Sequence, residues 1–218
     1  RGIFSVGLPS GIQQGITAFS NVFVQSYING FGSACMAGWS SYNKLDAFIL
    51  IPVQSIALAS TTFVGQNWGA RKLARARQGV RQTLLMSLGI TALLAVALIL
   101  LARPLLELFG NDEAMLDYGQ RFILLISPFY ITICFNQIYG GALRGIGSAK
   151  APMMIMLFAF VLFRQLFLLG NQLLGGSFVG VALAYPMGWV MCSSLLALYY
   201  RRSPLCREQP APLTPAAK

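Results

Sequence analysis

The sequence predicts an all-α integral membrane protein, a six-transmembrane-helix bundle, on three observations. Hydrophobic residues make up 56% of 218 and charged residues only 10%, with a mean hydropathy of +0.65. A soluble domain carries about 25% charged residues, so this chain has too little polar surface to face water on all sides. Second, apolar stretches of spanning length recur along it. Third, the net charge of +10 is concentrated between those stretches, the pattern of cytoplasmic membrane loops rather than of a nucleic-acid surface.

A helix crossing about 30 Å of hydrocarbon needs about 20 residues. Stretches at approximately 7–30, 34–65, 83–102, 120–142, 151–173 and 178–200 qualify, within a bundle spanning 1–202. The second is longer than needed and contains Pro52, which predicts a kink or an extension beyond the bilayer. Pro128 predicts a bend in the fourth. Arg71, Lys72, Arg75, Arg77 and Arg81 follow the second span, Arg144 and Lys150 the fourth, and Arg201, Arg202 and Arg207 the sixth. Acidic residues, Glu107, Asp112, Glu113 and Asp117, gather after the third. The alternation places both chain ends in the cytoplasm; the expected location is the inner membrane of a bacterium, with membrane lipids as partners.

The basic segment 70–82 predicts a short amphipathic helix serving as a topology anchor or as an anionic-lipid contact. Segment 203–218, with four prolines, predicts a disordered cytoplasmic tail. Small residues at every fourth position, Gly7, Gly11 and Gly15, then Gly176, Gly180, Ala184 and Gly188, predict close helix packing. Cys35, Cys134, Cys192 and Cys206 show no metal spacing, and histidine is absent, so His-based metal sites and catalysis are excluded. Arg1-Gly2-Ile3 offers neither an initiator Met nor a signal-peptide cleavage site.

Polar residues inside the spans are the functional candidates. Ser10, Gln14, Thr17, Asn21, Gln25 and Asn29 share one face of the first helix. That stripe either bonds to neighbouring helices or lines a wet cavity. Asn43, Lys44, Asp46 and Gln54 follow in the second span, and Asn136 and Tyr139 in the fourth. Lys44 and Asp46 point about 200° apart and do not pair. Arg164 lies near the middle of the fifth span, too deep to reach either surface. Intramembrane charges mark transport sites or a structural ion pair, here Asp46 with Arg164; a pair broken by proton binding would serve as both.

The stretch Phe63-Val64-Gly65-Gln66-Asn67-Trp68-Gly69-Ala70-Arg71-Lys72 resembles a motif of the multidrug and toxic compound extrusion (MATE) family. Gly7-Leu8-Pro9, Val24-Gln25, Ile28-Asn29-Gly30-Phe31-Gly32, Pro52, Gly141-Ala142-Leu143-Arg144-Gly145-Ile146-Gly147 and Gly180-Val181-Ala182-Leu183-Ala184 extend the resemblance over about residues 5 to 200. It implies one lobe of a twelve-helix transporter, the C-terminal one, with the N-terminal six-helix lobe as its partner. The missing initiator Met agrees. It further implies cation-coupled antiport by alternating access, with no cofactor other than the coupling ion, H⁺ or Na⁺. The implied cargo is a small organic, amphipathic compound. Asp46 would couple the ion, and Gln14, Thr17, Asn21, Gln25, Asn29, Asn43, Lys44, Gln54, Asn136, Tyr139 and Arg164 would line the substrate cavity.

The sequence departs from the family where several members carry acids. Its first and fourth helices hold amides instead, Gln14, Gln25 and Asn136, so coupling falls either to Asp46 or to the other lobe. A lipid or lipid-linked oligosaccharide flippase of the same superfamily is the alternative, since Lys44 and Arg164 suit phosphate. A membrane-embedded enzyme lacks its paired acids, nucleophile or metal cluster. A structural scaffold leaves the buried charges without a purpose.

Overall fold

The computed structural model describes residues 2–207, and the side chains of all of them except 2–6 and 9. Helix α1 (Gly2–Asn29) leads by a short turn into α2 (Ser33–Gly69), and α3 (Leu73–Leu100) returns. The short α4 (Ala102–Glu107) precedes α5 (Glu113–Ile126), a 3₁₀ turn (Ser127–Phe129) and α6 (Tyr130–Gly145). The fifth span is α7 (Lys150–Leu157), a π-helical segment (Phe158–Phe163) and α8 (Arg164–Leu173). Helix α9 (Phe178–Arg202) and the turn α10 (Pro204–Arg207) complete the described chain.

Five stretches are long and apolar enough to cross a membrane: Ser33–Gly69, Leu73–Leu100, Glu113–Gly145, Lys150–Leu173 and Phe178–Arg202. With the 28 residues of α1, they occupy the six expected positions. Helix α2 continues through Pro52 as one helix; at about 1.5 Å per residue it is about 55 Å long, well beyond the ~30 Å that a hydrocarbon core needs. Pro128, by contrast, sits inside the 3₁₀ turn that divides the fourth span. Basic segment 70–82 is no separate helix. From Leu73 it forms the first turns of α3.

Hydrogen bonding explains these boundaries. At the end of α2 the Lys72 N–H donates to the Asn67 carbonyl at 2.8 Å and the Arg71 N–H to Trp68 at 3.0 Å, closing the helix as a Schellman turn. Arg71 takes the left-handed position of that turn, φ +56°. After α6 the same turn uses Gly147, φ +84°, which occupies this region without a Cβ penalty. At the opposite end of the bundle, Asp112 caps α5 by accepting from the Met115 N–H at 3.1 Å, and Glu113 follows in its first turn, where the helix dipole favours an anion.

Helix α2 is the spine, packed against α3, α5 and α6. Glycine permits the closest approaches. A Cβ at Gly145 would stand 2.7 Å from the Thr61 carbonyl, one at Gly141 2.6 Å from Thr61 Oγ1, and one at Gly38 2.8 Å from the Met115 carbonyl. The first predicted stripe is not part of this seam: Gly7, Gly11 and Gly15 face open space. Of the second, Gly176 is open, but a Cβ at Gly180 would strike the Asn171 side chain, Ala184 is buried, and Gly188 meets the Ala159 carbonyl.

Residues 203–207, expected to begin a disordered tail, instead fold back onto α3. Leu205 is 0% exposed, packed with Ala57, Val64, Ala76, Val80, Ile138 and Ala142, and its carbonyl accepts from Arg77 Nε. The rest of the predicted tail, 208–218, lies outside the described residues.

Candidate functional site

Six acids occur in the sequence: Glu107, Asp112, Glu113 and Asp117 gather at one end, Glu208 follows the described residues, and Asp46 alone lies deep in a span. Helix α2 carries Tyr42 one turn before it, on the same face. The Tyr42 hydroxyl donates to Asp46 Oδ1 at 3.2 Å. From α6, directly after the 3₁₀ break, the Tyr130 hydroxyl donates to the same oxygen at 2.5 Å. The two hydroxyls are 3.0 Å apart. Tyr42 and Tyr130 are both buried.

Aromatic rings enclose this cluster. Trp39 lies 5.2 Å from Tyr42 and 4.8 Å from Phe122, and Trp189 stacks on Tyr130 at 5.9 Å. Tyr185 of α9 packs on Trp39 at 5.2 Å. Charge–hydroxyl interactions are stronger in such a low-dielectric enclosure than in water. Asp46 is therefore a carboxyl whose charge state is felt by four helical elements.

Arg164 does not pair with it. Among the described residues the ion pairs are Arg103–Glu107, Arg103–Glu113 and Arg121–Asp117, all exposed at the acidic end. Arg164 is 3% exposed and is not among the lining residues of the cavities described below. Its Nη2 donates to Ser20 Oγ at 2.8 Å, and its guanidinium lies 5.0 Å from the Tyr185 ring centre. Gln165 Nε2 donates to the Ser20 carbonyl and hydroxyl at 3.1 and 2.9 Å, and Ser20 Oγ donates to the Phe160 carbonyl at 3.2 Å. The π segment, which ends just before Arg164, brings these groups against α1. The Tyr185 ring that faces Arg164 also packs on Trp39 beside the Asp46 cluster, so aromatic rings, and no salt bridge, lie between the two groups.

Ser20 therefore joins α1 to α8. Ser20→Ala is expected to cost about 1–3 kcal/mol, because it strands buried donors of Arg164 and Gln165. A fall in the thermal midpoint of the purified protein, compared with exposed Ser55→Ala, measures it.

The polar stripe of α1 divides. Its buried face is Ser20, Val24 and Ile28, with the stripe beside it. Ser10 and Gln14 line a cavity of about 430 Å³ with Gln54, Asn136, Gln137, Arg144 and Trp189. Gln25 lines another, of about 560 Å³, with Asn43 and Lys44. Gln25 Nε2 also donates to Asn29 Oδ1 at 2.9 Å. Asn21 is exposed and Thr17 half-buried. Lys44 stands 4.9 Å from the Phe109 ring centre, toward the acidic end. Tyr139 stacks on Tyr200 at 4.5 Å.

Sequence reasoning missed Ser20, Tyr42, Tyr130, Arg144 and Trp189 as site residues. Tyr42 at i−4 from Asp46 carried a legible signal; Tyr130 and Ser20 depend on tertiary packing. Among the described residues no cluster of His, Cys, Asp or Glu could hold a metal ion.

The MatE family model matches residues 9–169. The chain belongs to the MatE family. The probable multidrug resistance protein YoeA of Bacillus subtilis is 23% identical over 201 residues, covering 91% of this chain and 43% of that protein. An FAD transporter of Shewanella oneidensis is 25% identical over 202 residues, covering 92% and 44%. The solved Vibrio cholerae MATE transporter VcmN in the bent form superposes with a TM-score of 0.82 at 19% identity, over 92% of this chain and 45% of that one. An outward-facing multidrug resistance MATE transporter of the MOP superfamily gives 0.84 at 18% identity, over 92% and 45%. The chain thus has the fold of about half a MATE transporter, and spans less than half the length of these curated relatives.

Proposed function

We propose that the chain forms the C-terminal lobe of a proton-coupled efflux antiporter that exports small organic, amphipathic compounds by alternating access. The carrying observation is Asp46, a carboxyl deep in a span, held by two tyrosine hydroxyls. Intramembrane carboxyls of this kind serve as proton relays. Protonation would remove the charge that Tyr42 and Tyr130 solvate, favouring a different packing of α2 against α6. The broken spans at Ser127–Phe129 and Phe158–Phe163 supply hinge points, as interrupted helices do in transporters.

The proton is preferred over Na⁺ because a hard cation requires several oxygen ligands together, and Asp46 is offered two hydroxyls. Names of relatives, multidrug resistance proteins and an FAD transporter, support organic cargo. The Arg-rich turns would face the cytoplasm of a bacterial inner membrane, by the positive-inside rule.

The test uses the intact native protein in liposomes loaded with a pH-sensitive dye. Adding transported organic dyes is expected to move protons in the opposite direction. Dye movement driven by a Na⁺ gradient alone would overturn the choice of proton. No movement under either gradient would overturn the transporter reading.

A further inference from the structure

Arg144 occupies the last turn of α6 and lines two cavities at once. One is the cavity of about 430 Å³ between α1, α2, α6 and α9; the other, about 300 Å³, opens along α2 and α6. Gln54 and Gln137 line both cavities with it. The side chain is half-buried, yet among the described residues no hydrogen-bond acceptor or carboxylate partners it. Arg103, Arg121 and Arg164 each have a bonded partner. A partly desolvated guanidinium without a counter-ion is costly, and the weak dipole of its own helix end does not offset that cost.

Its surroundings specify what would relieve it. Gln54, Gln137 and Asn136 offer carboxamides, and Asn136, 3% exposed, holds an Oδ1 with no partner among the described residues. Asn136 Nδ2 is anchored to the Trp189 carbonyl at 3.3 Å, so the free acceptor is fixed in place. Trp189 and Phe160 give the larger cavity an aromatic wall. Among the described lining residues there is no acid. A forked guanidinium binds a planar carboxylate or a phosphate through two parallel hydrogen bonds. Neighbouring amides then match further polar groups, and rings stack on a planar body.

We propose that Arg144, with Gln54, Asn136 and Gln137, binds the carboxylate or phosphate group of an organic anion that the transporter carries. This rests on the transporter reading above and narrows its cargo. The same guanidinium would also accept the phosphate of an anionic lipid; the cavity's amides and rings suit a compact polar cargo better than an acyl chain.

The test reconstitutes the intact native protein in phosphatidylcholine liposomes and compares uptake of carboxyfluorescein, an anion, with that of ethidium, a cation. The native protein is expected to take up carboxyfluorescein, and Arg144→Gln to reduce that uptake by about tenfold or more. Arg144→Lys should retain part of it, a point charge replacing a fork. Gln54→Glu keeps the arginine but supplies an internal counter-ion, and is expected to lower uptake similarly even if Arg144→Gln fails to fold. Carboxyfluorescein uptake unchanged in Arg144→Gln, or in Gln54→Glu where the former does not fold, would overturn the proposal. So would retention of phosphatidylglycerol through purification by the native protein but not by Arg144→Gln, with carboxyfluorescein uptake indifferent to the substitution. Ethidium transport without carboxyfluorescein transport refutes the anion assignment alone; transport of neither defeats the transporter reading first.

Discussion

Asp46→Asn in the intact protein is expected to reduce proton-coupled transport to background while leaving the bundle assembled. Asparagine matches aspartate in size, and its amide oxygen still accepts from Tyr130, whose hydroxyl lies 2.5 Å from Asp46 Oδ1, or from Tyr42. The packing of Trp39, Phe122 and Trp189 around the cluster has no reason to change. What is lost is the ability to gain and lose charge. An exchanger that alternates only when the proton has been taken up or released then has no driving step. Two measurements separate this from a folding defect. The thermal midpoint should stay close to that of the native protein, and substrate-induced proton movement should vanish at every pH tested. If Asp46→Asn moves substrate with the native pH profile, Asp46 is not the coupling group and coupling lies in the remainder of the transporter.

The second large effect is structural. Gly145→Val is expected to prevent assembly of the half-bundle, because the first added carbon would stand 2.7 Å from the Thr61 carbonyl, 3.2 Å from the Gly65 amide nitrogen and 3.3 Å from Val64 Cβ. Two of those contacts are backbone of α2 and cannot rotate away. Overpacking of a well-packed contact costs about 1–3 kcal/mol, occasionally more, and valine adds two methyls beyond the Cβ. Separating α2 from α6 would also pull Tyr130 from Asp46 and widen the cavity lined by Gln54 and Gln137. Gly89→Val is the control, since a Cβ at Gly89 meets nothing within 4 Å. Size-exclusion chromatography of the detergent-extracted proteins reads the outcome. Equal monodisperse yields for the two variants would show that the seam tolerates side chains.

The spans were legible because hydropathy reports a helix's average environment, and six apolar runs with alternating loop charge leave few topologies. Asp46 was legible for the same reason: a charge in an apolar run is conspicuous whatever its partners. Partnership was not. Arg164 looked like the counter-ion of Asp46 because both are buried charges, yet Ser20 and Tyr185 hold it from helices far away in sequence, and its Nε has no partner among the described residues. Arg144 looked like a loop cation because it ends its helix, and only the folded cavity shows it unpaired. Tyr139 and Tyr130 are chemically identical on α6, nine residues apart in number; their helix faces direct one to Tyr200 and the other to Asp46. The glycine seams at Gly7–Gly15 failed because spacing identifies a stripe without saying whether this chain supplies its partner.

The π segment Phe158–Phe163 gives chain length itself a meaning. Its i→i+5 bonds hold one more residue per turn than an α-helix needs. Losing any one of these six apolar residues would let the helix relax to ordinary winding at little energetic penalty. The residues on either side would keep their phase, because an i→i+5 turn sets each residue where an α-helix would set its predecessor. Lys150–Leu157 would keep its packing and Arg164 its reach to Ser20. The π segment thus absorbs a surplus residue without changing which faces the two halves of one span present.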